Sequence, residues 1–287
     1  LAVLKKEHVA RHAQPAMWLK CDLTTSALEP ASFGNVSFDV IYLDPPWRDA
    51  QWPPARVAAL RVDRVADPRG AFVFLWCGDG NDHTLERGRE CLQAWGFRRV
   101  EEIVWLKTNR QTEIETEKKA QTSAGRVADA SSSASSSAFR SASSLETRAR
   151  PVLLPTKEHC LVGILGNLRR DRDGHIMHAN IDVDVIVSEA PCDPSDESKP
   201  RETYEVIENF CQGRRRLELF GTDANRRAGW VTLGEALSDS NFDHEVLAGH
   251  FAGAPGSAAG PTLPRHQRIE ALRPKTPPFA RSGTLHP

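Results

Sequence analysis

The strongest constraint on this chain is the stretch Phe38-Asp39-Val40-Ile41-Tyr42-Leu43-Asp44-Pro45-Pro46-Trp47. Val40, Ile41 and Leu43 make a short apolar run with β-branched members, halted by a Pro-Pro pair that continues neither a central strand nor a helix. The stretch reads as a buried strand that delivers Asp44, two rigid prolines and Trp47 to the rim of a sheet. In open α/β sheets that carboxyl-terminal rim is where ligands bind. The tetrapeptide has a chemical logic for an aromatic amine. The exocyclic amine of adenine is a poor nucleophile because its lone pair is delocalised into the ring. A rigid carboxylate and prolyl carbonyls can accept its two N–H bonds and localise that pair, while an indole stacks on the base. Taken alone, the same four residues also fit an Asp-Pro turn followed by a core tryptophan.

Further apolar runs surround this strand. Ala71 to Cys77 reads as a buried strand, and Leu85 to Trp95 has helical spacing stopped by Gly96. Strands are expected at Glu102–Leu106, Leu161–Leu165, Leu217–Gly221 and Trp230–Gly234, with a half-exposed edge strand at Val183–Val187. An amphipathic helix is expected within Lys199–Cys211 and a short one near Ala55–Val65. Strands alternating with helical patterns predict an α/β fold, with a predominantly parallel sheet and helices on both faces. Neither a G-x-G-x-x-G fingerprint nor a Walker A motif is present, which weakens the dinucleotide and P-loop readings. Phe220-Gly221 supplies the small residue at a strand end that an adenosyl cofactor needs near its crevice.

Residues 1–19 lack clear periodicity and read as a lead-in to a domain spanning 20–250. Within that domain the composition changes at about 111–155, where Ala-Ser-Ser-Ser-Ala-Ser-Ser-Ser-Ala occupies 130–138. So few apolar groups cannot offset the cost of ordering, and the segment is expected to be a disordered insertion. Residues 251–287, rich in Gly, Ala and Pro, are expected to form a flexible tail. The chain starts at Leu1 rather than Met, so a missing amino-terminal part is expected.

Lys and Arg total 37 against 38 Asp and Glu, so any nucleic-acid affinity has to come from local patches. The 6 cysteines lack C-x-x-C spacing, which argues against a zinc module and for reduced thiols in cytosol or nucleus. No metal site is expected. No apolar stretch approaches the roughly 20 residues that span a bilayer, and no signal-peptide pattern opens the chain. A soluble intracellular protein without a membrane partner is the expectation.

Several segments, taken in order, extend the motif. They are Phe74-Leu75-Trp76-Cys77-Gly78, Trp95-Gly96-Phe97-Arg98-Arg99, Trp105-Leu106-Lys107-Thr108-Asn109, Lys157-Glu158-His159-Cys160-Leu161 and Gly213 to Gly221. With Asp44 preceding Phe220-Gly221, the chain resembles the Asp-Pro-Pro-Trp adenosine methyltransferases that use S-adenosylmethionine. The resemblance implies a permuted Rossmann-like methyltransferase fold. His178 to Asp184, Ser240-Asn241-Phe242 and Leu272 to Pro278 are similar to the partner subunit of the heterodimeric nuclear mRNA methyltransferase, rather than to its catalytic paralogue.

In that branch the catalytic paralogue binds the cofactor, and the partner subunit buttresses it and contributes an RNA groove. The partner branch usually carries Glu-Pro-Pro-Leu, whereas Asp44, Pro45, Pro46 and Trp47 are intact here. The catalytic branch follows Phe-Gly with Arg-x-His-Asn. Here Thr222-Asp223-Ala224-Asn225 keeps only the asparagine, and Glu235-Ala236 replaces an Asn-Gln pair. Asp22, Lys157 and Asn225 are the residues left for S-adenosylmethionine. Arg89, Arg98, Arg99, Arg169 and Arg170 match the RNA groove, with Gln93 where an arginine would stand. As residues alone these arginines read as a solvated surface, His159 and Cys160 as packed strand, and Trp95 and Trp105 as core. The resemblance implies a nuclear, mRNA-binding, largely structural subunit that pairs with a catalytic paralogue for N(6)-adenosine methylation. The alternative is an autonomous S-adenosylmethionine-dependent adenine methyltransferase acting on RNA or DNA. In that reading Asp44 and the Pro45 carbonyl orient the amine and Trp47 stacks on the base. A simple nucleic-acid-binding module has only the arginines behind it.

Overall fold

The computed structural model describes residues 1–26, 28–79, 83–108, 156–168, 177–179, 181–191 and 196–274. Among them, eight strands form one sheet: β1 (Met17–Lys20), β2 (Val40–Leu43), β3 (Ala71–Trp76), β4 (Arg98–Thr108), β5 (Lys157–Leu165), β6 (Val185–Glu189), β7 (Arg216–Leu219) and β8 (Val231–Gly234). Their order is β1-β8-β7-β2-β3-β5-β4-β6. Helices α1 (Ala2–His12), α2 (Pro54–Ala58), α3 (Thr84–Ala94), α4 (Glu202–Phe210), α5 (His244–Phe251) and α6 (Gln267–Leu272) complete the fold.

The sheet is mostly parallel, as expected, and the exception is informative. β5 runs antiparallel to both β3 and β4. β4 and β5 therefore form a long ribbon, with the end of β4 and the start of β5 at the rim where β2 ends. The chain leaves β2 toward β3 and leaves β7 toward β8, in opposite directions across the sheet. The adjacent ends of β2 and β7 are thus the topological switch point, the place where open α/β sheets bind ligands.

β2 and β3 are buried at every position, which is why they read as continuous apolar runs. One face of the sheet packs Ile41, Leu43, Val73 and Leu75 against Val57, Leu92 and Leu247 of α2, α3 and α5. The other packs Tyr42, Phe74 and Trp76 with Tyr204 and Ile207 of α4. α3 lies so close to the sheet that a Cβ at Gly88 would come within 2.4 Å of Cys77 Sγ. Gly96, at φ 74, ends that helix in the left-handed conformation.

Arg215 clamps the entrance to the central strands. Its guanidinium bonds Asp39 just before β2, through Nε at 3.0 Å and through NH2, and reaches Asp67 before β3 at 2.6 Å. All three groups are buried, so each depends on the others for its compensation.

Residues 1–19, expected only as a lead-in, supply α1 and the edge strand β1. α1 packs on α4 and turns Lys5, His8 and Val9 inward. Two of those three are polar, so no apolar period appears in the sequence. Residues 252–274 also pack on the core. Leu263 and Ile269 are buried, and Arg214 donates to the carbonyls of Ala258 and Gly260. Residues 109–155, the whole of the expected insertion at 111–155 included, and 275–287 lie outside the described residues.

The two sheet edges differ. Along β1, Asn241 and Ser240 accept from Trp18 N at 2.7 Å and Lys20 N at 2.9 Å, and Asn241 N donates back to Trp18 O. Along β6, no described strand covers the outer side.

Candidate active site

β2 ends where the sequence places it and presents Asp44-Pro45-Pro46-Trp47 on the wall of a cavity of about 680 Å³. Arg48, Gly78, Thr84, Lys107, Glu158 and Lys199 also line it. Asp44 Oδ2 lies 3.2 Å from Lys199 Nζ, which is 3.1 Å from Glu158 Oε2, and Glu158 Oε1 accepts from Lys107 Nζ at 2.5 Å. Four charges of alternating sign thus run along the rim from β2 to β4. Burial raises the Asp44 carboxyl to about 6; Lys199 opposes that rise and Glu158 adds to it. Burial works against the charged form of Lys199, but Asp44 and Glu158 outweigh it and hold that ammonium above the usual lysine value. Trp47 is half-buried, and its Nε1 donates to Trp76 O at 2.7 Å. Its indole is fixed at the cavity wall.

The cofactor half is built differently. Asn225 Oδ1 accepts from Thr222 N and Oγ1 at 2.7 and 2.8 Å, and its Nδ2 donates to Tyr204 Oη at 2.9 Å. The side chain therefore caps its own loop and points into the protein's hydrogen-bond network. Phe220, at φ 66, meets Trp52 edge-on with ring centroids 4.7 Å apart. A Cβ at Gly221 would come within 2.2 Å of Thr232 Cγ2, and one at Gly234 within 2.1 Å of Gly221 O. These glycines let β7 and β8 close on each other, with Thr232 packed directly against Gly221. Tyr204 Oη donates to buried Glu218 at 2.6 Å, and burial raises that carboxyl to about 8.

Asp22 closes the turn after β1, accepting from Thr24 N and Oγ1 at 2.8 and 2.9 Å. Lys157 is exposed at the start of β5 and does not line the cavity. Asp22, Lys157 and Asn225 all stand at the rim where β1 and β7 end and β5 begins, but none lines the 680 Å³ cavity, and the Asp22 and Asn225 side chains are engaged in their own turns.

The expected RNA-binding arginines are divided. Arg98 and Arg99 start β4 opposite Ile164 and Gly163, whereas Cys160, level with the end of β3, is opposite Ile103. At roughly 3.3 Å per residue, Arg98 and Arg99 lie about 15 Å along the strand from the Asp44 rim. Arg89 sits on α3, 3.8 Å from Glu86, and Arg99 is 3.8 Å from Glu102. A parallel sheet would not require the two arginine pairs to be neighbours. The antiparallel pairing of β4 and β5 brings the chain leaving β5 to the end where Arg98 and Arg99 stand. Arg169 and Arg170 themselves lie outside the described residues.

His159 and Cys160 are packed, with His159 Nδ1 2.6 Å from Glu102 Oε1, and Trp95 and Trp105 are core residues. Sequence reasoning missed Lys199 as the partner of Asp44. The available signal was a lysine before Pro200, at the start of the amphipathic stretch that becomes α4.

The family model described as MT-A70 matches residues 38–128 and 137–236. The chain is 38% identical over 286 residues to the N(6)-adenosine-methyltransferase non-catalytic subunit METTL14 of Xenopus laevis, covering 96% of this chain and 54% of that protein. With the Drosophila melanogaster subunit of the same name the identity is 38% over 294 residues, covering 97% and 64%. With the human N(6)-adenosine-methyltransferase catalytic subunit METTL3 it is 32% over 239 residues, covering 82% and 33%. The chain thus spans about half the length, 54%, of the first of these relatives.

Proposed function

We propose, from the premise that the chain belongs to the MT-A70 family, that it is the largely structural, RNA-binding subunit of a heterodimeric nuclear mRNA N(6)-adenosine methyltransferase. Methyltransferases of this family use S-adenosylmethionine. In the proposed complex a catalytic paralogue binds it, and this chain supports that paralogue and positions RNA. The observation that carries the reading is Asn225, whose side-chain amide is engaged by Thr222 and by Tyr204 inside the protein rather than turned toward a ligand. The names of the METTL14 relatives, which describe a non-catalytic subunit, point the same way.

The outer edge of β6, uncovered by any described strand, suits a partner chain. Val185 and Val187 face outward beside Val104 and Leu106 of β4, and Val187 is 62% exposed. An open edge with apolar side chains favours pairing with another chain. Arg89, Arg98 and Arg99 supply cationic contacts for RNA phosphates.

The second reading, an autonomous adenine methyltransferase, draws on the intact Asp44-Pro45-Pro46-Trp47 beside an open 680 Å³ cavity. Methyl transfer to an adenosine-containing RNA distinguishes the two. The chain alone should be inactive, and adding it to a catalytic paralogue should raise that subunit's rate. Transfer by the chain alone, at a rate comparable to that of the complex, would overturn the proposal.

A further inference from the structure

Away from the rim, a set of buried polar groups ties the two ends of the described chain together. Lys5 on α1 is completely buried. Its Nζ donates to Gln212 Oε1 at 2.6 Å and lies 3.4 Å from His178 Nδ1. With the ammonium donating to Nδ1, the ring proton is on Nε2, which donates to Glu270 Oε1 of α6 at 2.6 Å. Glu270 Oε2 in turn accepts from Arg273 Nε at 2.8 Å. Gln212 Nε2 donates to Leu263 O at 3.2 Å, and His8 Nε2, one turn along α1 from Lys5, donates to Pro264 O at 2.7 Å. Three of these bonds, donated by His178, Gln212 and His8, reach the segment 261–273, and Lys5 holds the first two of those donors.

We propose that Lys5, His178 and Glu270 form a proton-operated latch, which holds the segment 261–273 against α1 in neutral and alkaline solution and releases it on acidification. This goes beyond the functional reading above and does not depend on it. The geometry gives the mechanism. A proton arriving on His178 Nδ1 removes the acceptor for Lys5 and leaves two cations 3.4 Å apart in a closed space.

Lys5 faces Arg216 from β7, Glu208 from α4, Glu270 from α6, and Cys211 and His178 from the segments between. Burial first, and Arg216 second, lower its pKa to about 7, against the pull of Cys211, Glu270 and Glu208. His178 faces Lys5, Glu270 and Arg273; burial and then Lys5 lower its pKa despite Glu270. His8 faces Lys5, His12 and His266 and is lowered mainly by burial. Burial opposes ionisation of Glu270, but His178 and Arg273 outweigh it and hold the carboxyl below its usual value.

All three bases bind protons less readily when latched than when solvated, so acid favours release and alkali favours the latch. For Lys5 alone, a pKa of about 7 when latched against 10.5 in water makes release about tenfold more favourable at about pH 5.5 than at about pH 8. The histidines add to this below their solution value of 6.5.

The test is amide hydrogen exchange across the full chain at about pH 5.5 and about pH 8, with each rate normalised to the intrinsic chemical rate. Protection of 261–273 should fall at least about tenfold at the lower pH, while β2 and β3 remain protected. In Lys5→Met the pH dependence should shrink by about tenfold, leaving only the share that the histidines supply. Equal protection at both pH values, loss in step with β2 and β3, or an unchanged pH dependence in Lys5→Met would each overturn the latch. Should Lys5→Met not fold, Glu270→Ala serves instead. It should leave 261–273 in fast exchange at both pH values, and wild-type protection there would refute the proposal.

Discussion

Replacing Asp44 by asparagine should make the protein more stable at neutral pH than in acid, relative to the unmodified chain. Burial raises the Asp44 carboxyl from 3.8 to about 6, so the folded protein holds this proton more tightly than the unfolded chain does. The associated stability is present below the unfolded value of 3.8 and is lost as the pH rises through about 6. At 1.36 kcal/mol per pKa unit the full interval is worth about 3 kcal/mol. The side chain retains 28% exposure, so this is an upper limit. Between about pH 4.5 and about pH 7.5 the wild type should lose about 2 kcal/mol that Asp44→Asn does not lose. The variant also removes one of two anions from Lys199, but Glu158 remains 3.1 Å away. Lys199 stays charged throughout, so that cost is constant across the interval, and other titrating groups cancel in the difference. Urea unfolding of both proteins at the two pH values measures it. A gap between the two proteins that does not widen toward neutral pH in favour of Asp44→Asn would refute the reasoning.

Three other outcomes follow from the geometry. Arg215→Met leaves Asp39 and Asp67 without their shared cation in a buried site, and should cost about 3–5 kcal/mol in urea unfolding; a loss under about 1 kcal/mol would contradict the clamp. Val187→Asp changes an exposed residue and should leave stability within about 0.5 kcal/mol, yet it should abolish co-purification with a catalytic paralogue if β6 is the docking edge; intact co-purification argues for another surface. Alanine at both Arg98 and Arg99 should flatten the salt dependence of single-stranded RNA binding by about 1.4 units, at 0.7 per phosphate contact, as read by fluorescence anisotropy; an unchanged slope would remove them from the interface.

The parts of this fold that are legible in the sequence are those held by continuous apolar surface. β2 and β3 announce themselves because they pack through apolar side chains at every position, and α3, β7 and β8 still show enough apolar positions to be read, although Arg216, Glu218 and Thr232 are buried as well; Pro45, Gly96 and Gly221 mark where they stop. α1 was hidden because its inward face is made of Lys5, His8 and Val9, which pack through a polar network rather than an oil-like stripe. The direction of β5 was hidden for another reason. An alternating pattern fixes that a segment is a strand, but the long connection from β4 permits either direction of return. At the site, the sequence supplied Asp44 and its prolines by local spacing. It could not supply Lys199, which lies 155 residues further along the chain and meets Asp44 only through the packing of α4. The eroded cofactor half was half legible. The substitutions at Thr222, Ala224, Glu235 and Ala236 can be read directly. That Asn225 turns inward onto Tyr204, and that Thr232 packs against Gly221, depends on strand pairing.

The central claim is that this chain has given up the cofactor and kept the scaffold, and calorimetric titration with S-adenosylmethionine tests it most directly. Three or four absent hydrogen bonds at about 1 kcal/mol each weaken binding roughly a hundredfold or more. The isolated chain should give no measurable heat at micromolar ligand, and the heterodimer with a catalytic paralogue should bind one equivalent. Micromolar, one-to-one binding by the isolated chain would contradict the account.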